Sequence, residues 1–279
     1  MPRPLRMEYP DAVYHVTSRG NAKAAILDST HDRRLFFSTI QATVDEFTWI
    51  CHAFVLMNNH YHLLLETPLG NLAAGMQQLN GRFAQYYNQR CDRTGHVFQG
   101  RFKSIVVEKD SYFLAVARYI VINPVRAGLV SDPGFWRWSS YQATGGNAKY
   151  PFLSTAQTLA YFANGQDDGK EQYRQFVMEG LEDDVWKDLR GGFLLSTDAY
   201  AQIVAERLRS DGAPPELWRA LQATIRKPLS DLFGDTLSPD DQAVLSAYHD
   251  HGYKQSEIAD FLGTNQTKIS RLIRSYSRT

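Results

Sequence analysis

The sequence predicts an α+β protein: a β-α-β-β-α-β domain with an appended helix, followed by an all-α region that ends in a helix-turn-helix. Three observations support this class. Four short segments rich in β-branched and aromatic residues alternate with two segments whose apolar residues recur at helical spacing, in the order strand, helix, strand, strand, helix, strand. A further helical pattern follows the last strand and runs to Pro124. Near the end of the chain, two short helical patterns flank a turn at Gly263-Thr264, and the second of them is basic.

Taken in order, Asp11 to Arg19 (DAVYHVTSR) is the first strand, closed by Gly20. His31 to Phe47 sets Phe36, Ile40, Val44 and Phe47 on one helical face. Thr48 to Met57 (TWICHAFVLM) is a strongly apolar strand. Asn58-Asn59, a pair that tolerates positive φ, suits a tight hairpin into the strand His60 to Thr67 (HYHLLLET). This hairpin is expected at the centre of the sheet. Leu72, Met76, Leu79, Phe83 and Tyr86 or Tyr87 mark the second helix, with Asn71 as its N-cap. Phe102 to Glu108 (FKSIVVE) is the fourth strand. Asp110 or Ser111 then caps a helix with Phe113, Val116, Ala117 and Ile120 on its core face, stopping near Pro124. The order is ferredoxin-like, an antiparallel sheet with helices on one face. Phe135 to Tyr141 (FWRWSSY) is expected to fold back on this core, and Gly145-Gly146 to end it. Residues 150–230 look helical and carry no recognisable chemistry, with Gly191-Gly192 and Pro214-Pro215 as punctuation. From Ser238 the final pattern begins: Val244, Leu245 and Tyr248 on one helix, Gln255 to Leu262 on the next, and Gln266 to Tyr276 (QTKISRLIRSY) as a basic amphipathic helix.

The 279 residues carry a formal net charge of zero, which by itself argues against a nucleic-acid binder. The distribution points the other way. Arg82, Arg90, Arg93, Arg101, Lys103, Lys109, Arg118 and Arg126 face only Asp92, Glu108 and Asp110 across residues 81–130. The segment from about 165 to 240, which includes Glu182-Asp183-Asp184, is acidic, and Lys268, Arg271, Arg274 and Arg278 make the end basic again. Local sign, not the total, makes a binding face. No apolar run reaches the length of a membrane span, the first residues do not form a signal peptide, and Cys51 and Cys91 form no disulfide or metal spacing, so a cytoplasmic protein is expected.

His60 and His62 flank one residue of a strand, so their side chains share a face and can grip one divalent cation. Alone, an H-x-H pair is a weak motif. Tyr119 and Asn123 stand four apart on the appended helix and share a face as well. A phenol of pKa about 10 is a poor nucleophile toward a phosphodiester, and a bound cation that polarises the phosphoryl oxygen assists it. Two imidazoles and a neutral amide oxygen suit Mg²⁺ or Mn²⁺. Zinc stays open with imidazole ligands, although the third strong ligand usual in zinc hydrolases is missing, because Leu63, Leu64 and Leu65 follow His62.

The stretches RPLRMEYPDAVYHVTSRGN, VLMNNHYHLLLETP, QQLNGRFAQYYNQR, GHVFQGRFKS and ARYIVINPVRAGLV followed by WSSY resemble the single-tyrosine HUH transposases, specifically the REP-associated tyrosine transposases of bacteria. The resemblance spans nearly all of residues 1–145. It implies that His60 and His62 are metal ligands, that Tyr119 is the nucleophile and that Asn123 stands where relatives place a third metal-binding polar residue. Tyr61 occupies a position that is usually hydrophobic and is expected to point into the core. The implied activity is metal-dependent cleavage and rejoining of single-stranded DNA at palindromic hairpin repeats through a 5′-phosphotyrosine bond. Nucleoid association follows, and monomer and homodimer both stay open. The expected division is a catalytic domain over 1–146, a helical middle region over 147–236 and a helix-turn-helix module over 237–279. Arg3, Arg6, Arg19, Arg82, Arg101, Lys103 and Arg126 are candidate phosphate contacts, and Tyr86, Tyr87 and Phe98 candidate stacking residues. On the last helix, Gln266 and Thr267 are placed to read base edges, and Lys268, Arg271 and Arg274 to contact phosphates. Two other classes fit parts of the sequence: a non-catalytic DNA-binding regulator acting through the helix-turn-helix, and a metal phosphodiesterase acting on a small nucleotide.

Overall fold

A computed structural model describes residues 7–162, 169–234 and 241–276. The described chain divides into two compact units, one ending at Ser196 and one beginning at Thr197. Among the described residues no helix is long and apolar enough to cross a membrane.

The first unit is built on the expected order: β1 (Ala12–Arg19), α1 (Thr30–Phe47), β2 (Ile50–Leu56), β3 (His60–Thr67), α2 (Leu72–Arg90), β4 (Lys103–Val107) and α3 (Lys109–Arg126). These strands lie in the order β2-β3-β1-β4, all antiparallel. Side chains alternate across the sheet. Tyr61 points to one face, fully buried, with Phe36 of α1 packed on its ring at 4.7 Å and Phe83 of α2 beyond. Leu64 points to the other face, where Phe113, Val116, Ala117 and Ile120 of α3 cover it together with Val13, Val55 and Val107. The helices therefore do not all lie on one face. α1 and α2 cover one side, and the appended helix takes the other. An apolar strand such as β2 has to be covered on both.

Four local expectations are corrected. The β2–β3 hairpin is not central, because β2 is the outermost strand. Its free edge is covered by the FWRWSSY stretch: Leu56 N–H donates to Trp138 O, Ser140 N–H to Phe54 O and Trp136 Nε1–H to Leu56 O. Asn58 and Asn59 do not take positive φ. They act as anchors, with Asn58 Oδ1 accepting from Arg33 at 2.6 Å and its carbonyl accepting from the N–H groups of Ile26 and Leu27. Asn71 holds the N-cap position of α2 without capping it, since its side chain accepts from Trp49 Nε1 and donates to Phe47 O. Neither Asp110 nor Ser111 caps α3, which starts after Glu108 and runs past Pro124 to Arg126. Proline lacks the N–H that would reach Ile120 O. The Asn123 amide, 3.5 Å from that carbonyl, lies where it partly offsets the loss.

Short helices α4 (Tyr141–Thr144) and α5 (Ala156–Ala160) and the longer α6 (Gly169–Glu179) follow. The region expected to be all helical then adds two strands, β5 (Leu189–Arg190) and β6 (Leu194–Leu195), joined by a turn with positive φ at Gly191 and Gly192. β6 pairs in parallel with β4, so the sheet has six strands in the order β2-β3-β1-β4-β6-β5. Two-residue strands are too short to show a period of two, which is why periodicity did not reveal them. The compact unit thus extends to Ser196, and the expected division at 146 does not coincide with it.

The second unit contains α7 (Asp198–Ser210), α8 (Pro215–Ile225), α9 (Leu229–Phe233), α10 (Asp241–His249), α11 (Gln255–Phe261) and α12 (Gln266–Tyr276). Val244, Ala247, Ile258, Ala259, Ile269 and Ile273 form the buried core of its last three helices. Gly263, at φ 60°, lets Thr264 N–H return to Ala259 O, and Asn265 Oδ1 accepts from Lys268 N–H to start α12.

Candidate active site

Strand alternation puts His60 and His62 on the α3 face of β3, with ring centroids 5.0 Å apart. Each ring has one nitrogen engaged. His60 Nδ1–H donates to Asn59 Oδ1 at 2.6 Å, which leaves Nε2 bare. His62 Nδ1 lies 2.8 Å from Nε2 of His15, and His62 Nε2 is buried without a partner. The His62 tautomer that leaves Nε2 as a ligand carries its proton on Nδ1 and donates it to His15. A second-layer acceptor of this kind is what a metal-binding imidazole ordinarily has. Burial holds all three rings neutral: it lowers His15 to about 3, lowers His60 to about 4 with help from Arg19, and holds His62 well below the usual histidine value. Neutral imidazoles are the ligating form.

Tyr119 comes from the helix above. Its ring centroid lies 5.9 Å from those of both His62 and His15, edge on. Asn123, one turn later, donates through Nδ2 to Tyr119 O at 2.7 Å, so the only group it keeps for a cation is Oδ1. His60, His62, Tyr119 and Asn123 line one cavity of about 590 Å³, together with Thr17, Ser18, Arg19, Lys23, Gln99, Gly100, Arg101 and Lys103. Among the described residues no three His, Cys, Asp or Glu side chains gather as metal ligands, so a third protein ligand here would be the amide. A bare buried Nε2, a second bare Nε2 and an amide oxygen fit a hard divalent cation that keeps open positions.

The proposed phosphate contacts separate. Arg19, Arg101 and Lys103 are exposed, line this cavity and pair with no carboxylate among the described residues. Arg82 sits on α2, on the opposite side of the sheet, and pairs with Glu46 at 3.3 Å. Arg126 lies over the Tyr119 ring at 5.7 Å and donates to Asp183 O. Arg3 and Arg6 lie outside the described residues. Tyr87 is buried with its hydroxyl on Ala25 O, and Phe98 packs on Phe83 and Tyr61, so both are packing residues; Tyr86 is exposed. On α12, Gln266, Thr267, Lys268, Arg271 and Arg274 are all exposed.

Sequence reasoning missed His15, Lys23 and Gln99. The alternation of β1 does put His15 on the face of Arg19, but only the register, with Thr17 opposite His62, brings that face beside the histidine pair.

Residues 8–123 match the model of the IS200-like transposase family. The matched segment, less than half of the chain, contains His60, His62, Tyr119 and Asn123. Among solved structures, a REP-associated tyrosine transposase bound to a REP hairpin is 18% identical, with a TM-score of 0.47, covering 55% of this chain and 91% of that one. A Deinococcus radiodurans protein classed as a transposase is 16% identical, with a TM-score of 0.32, covering 43% of this chain and 95% of that one. No curated protein sequence matches the chain.

Proposed function

We propose that the chain is a metal-dependent endonuclease and strand transferase that cuts and rejoins single-stranded DNA at palindromic repeats through a 5′-phosphotyrosine intermediate. The observation that carries this reading is one cavity shared by a phenol, two imidazoles with bare Nε2 atoms, an amide and four cations that pair with no carboxylate among the described residues. His60, His62 and Asn123 would hold Mg²⁺ or Mn²⁺. At such a donor set a divalent cation polarises a phosphoryl oxygen and offsets the charge that develops on it.

Tyr119 supplies the nucleophile. Its Oη bonds to phosphorus and the P–O3′ bond breaks. The phenolic proton passes to water, and the departing 3′ oxygen takes one up as a free 3′-hydroxyl. Phosphoester is exchanged for phosphoester, so an incoming 3′-hydroxyl can reverse the step without ATP. Arg19, Arg101 and Lys103 would hold flanking phosphates, and Arg126 lies over the phenol ring. α10 to α12 serve as the duplex-binding helix-turn-helix, with α12 in the groove. The exposed cations of α12 favour a second, binding-only reading, in which the protein regulates at repeats without cutting. A denaturing gel separates the two: a covalent protein–DNA adduct formed with Mg²⁺ and absent with chelator supports the transferase, and its absence under both conditions leaves the regulator.

A further inference from the structure

Beyond the segment that matches the transposase family, one stretch of chain reaches back to Tyr119. Trp186 packs edge-on against Tyr119 with ring centroids 5.0 Å apart, and its ring also lies 5.0 Å from His15. Tyr119, His15 and Trp186 thus touch one another pairwise, and His62 joins them through its hydrogen bond to His15 and its ring 5.9 Å from Tyr119.

The segment bearing Trp186 is fastened at both ends. Before it, the Arg118 guanidinium lies over Phe176 at 4.3 Å, donates to Phe176 O and pairs with Asp183. Gly180 makes room for this, since a Cβ there would fall 2.0 Å from Arg118 Cζ. After it, Tyr112 Oη–H donates to Asp188 Oδ2 at 2.9 Å, and β5 and β6 add to the sheet beside β4. Arg118 is the neighbour of Tyr119, and Tyr112 lies two turns earlier on α3. The strap is therefore tied to the helix that carries the phenol.

We propose that Trp186 is a positioning residue, the wall that with His15 confines the Tyr119 ring to the orientation facing the His60–His62 pair. This rests on the reading of Tyr119 as nucleophile. Edge-to-face aromatic contacts favour one relative orientation. A ring walled on two sides by fixed aromatics keeps its hydroxyl pointed at the cavity, and misplacement of a reacting group by about 1 Å costs about a hundredfold in rate.

The test uses the full chain with 3-fluorotyrosine placed at position 119, read by fluorine NMR, alongside single-turnover adduct formation on a single-stranded oligonucleotide with Mn²⁺. Trp186→Ala should move the fluorine resonance toward its denatured-chain position. It should also slow adduct formation by about ten- to a hundredfold, with DNA affinity changed less than about twofold. Trp186→Phe, which keeps an aromatic edge, should restore both. If the alanine variant does not fold, Trp186→Leu fills the volume without a ring and should show the same shift. An unchanged resonance and rate in Trp186→Ala would overturn the proposal. So would an unchanged resonance with weakened DNA binding, which would make Trp186 a base-stacking contact. A shifted resonance in a protein that forms no adduct even as wild type would leave the positioning role standing and remove the strand-transfer reading.

Discussion

The two units place their polar groups differently. In the unit ending at Ser196, titratable side chains sit inside: His15, His52, His62 and Glu66 are all buried, and each has a specific partner. Glu66 accepts from His52 and from Lys109, and those bonds hold its carboxyl below the usual carboxylate range. In the unit from Thr197, the core of the last three helices is apolar, and Lys268, Arg271 and Arg274 stay in water. Burying a polar group is costly unless it is hydrogen-bonded, so a fold does it where a function needs a dry, oriented group. A cationic binding face needs only an amphipathic helix with its charges outward. The proposed function assigns chemistry to the first unit and duplex affinity to the second on this contrast.

The largest effect that would break this assignment comes from Tyr119→Phe. Adduct formation should drop by at least about a thousandfold while DNA affinity stays at the wild-type value, read on a denaturing gel and by fluorescence anisotropy. Residual attachment at the wild-type rate would move the nucleophile elsewhere.

Next come the ligands. His60→Ala and His62→Ala should each abolish detectable Mn²⁺ binding by calorimetric titration and cut cleavage by about a hundredfold or more. Asn123→Ala should cost about tenfold, because water can replace one neutral ligand. Cleavage that persists in chelator would separate the histidine pair from any metal role.

The second unit is tested on the full chain by Lys268→Ala, Arg271→Ala and Arg274→Ala combined. Each lost phosphate contact removes about 0.9 from the slope of log affinity against log salt, so the slope for duplex DNA should fall by about 2 to 3. Adduct formation on a short single strand should not change. An unaltered slope would make α12 a packing or oligomerisation element.

The smallest effect concerns acid stability. His15, His60 and His62 have folded pKa values below that of a free imidazole. The unfolded chain therefore binds more protons once the pH drops below about 6.5, and stability falls as the pH goes down toward the folded values. Melting temperature should be lower at pH 5 than at pH 7.5. His15→Phe should remove about 2 kcal/mol of that difference, the linkage expected of one fully buried imidazole over this range. An identical pH dependence in the variant would mean that His15 is not held neutral in the fold.

Much of this was legible in the chain itself. The alternation of HYHLLLET placed His60 and His62 on one face and Tyr61 on the other. The helical spacing of Phe113, Val116, Ala117 and Ile120 fixed the face of α3 that packs, and with it the direction of Tyr119 and Asn123. These are periodicities of two and 3.6, which depend only on local backbone geometry. Tertiary structure decided what depends on which strands are neighbours and where the chain returns. His15 became the partner of His62 through the β1–β3 register, and Arg82 was separated from the cavity because α2 covers the other face. Trp186 reached Tyr119 across more than sixty residues of sequence through Arg118, Tyr112 and two short strands. Contacts between distant segments follow from packing in three dimensions, and no local pattern in a single sequence encodes which distant side chain fills a given gap.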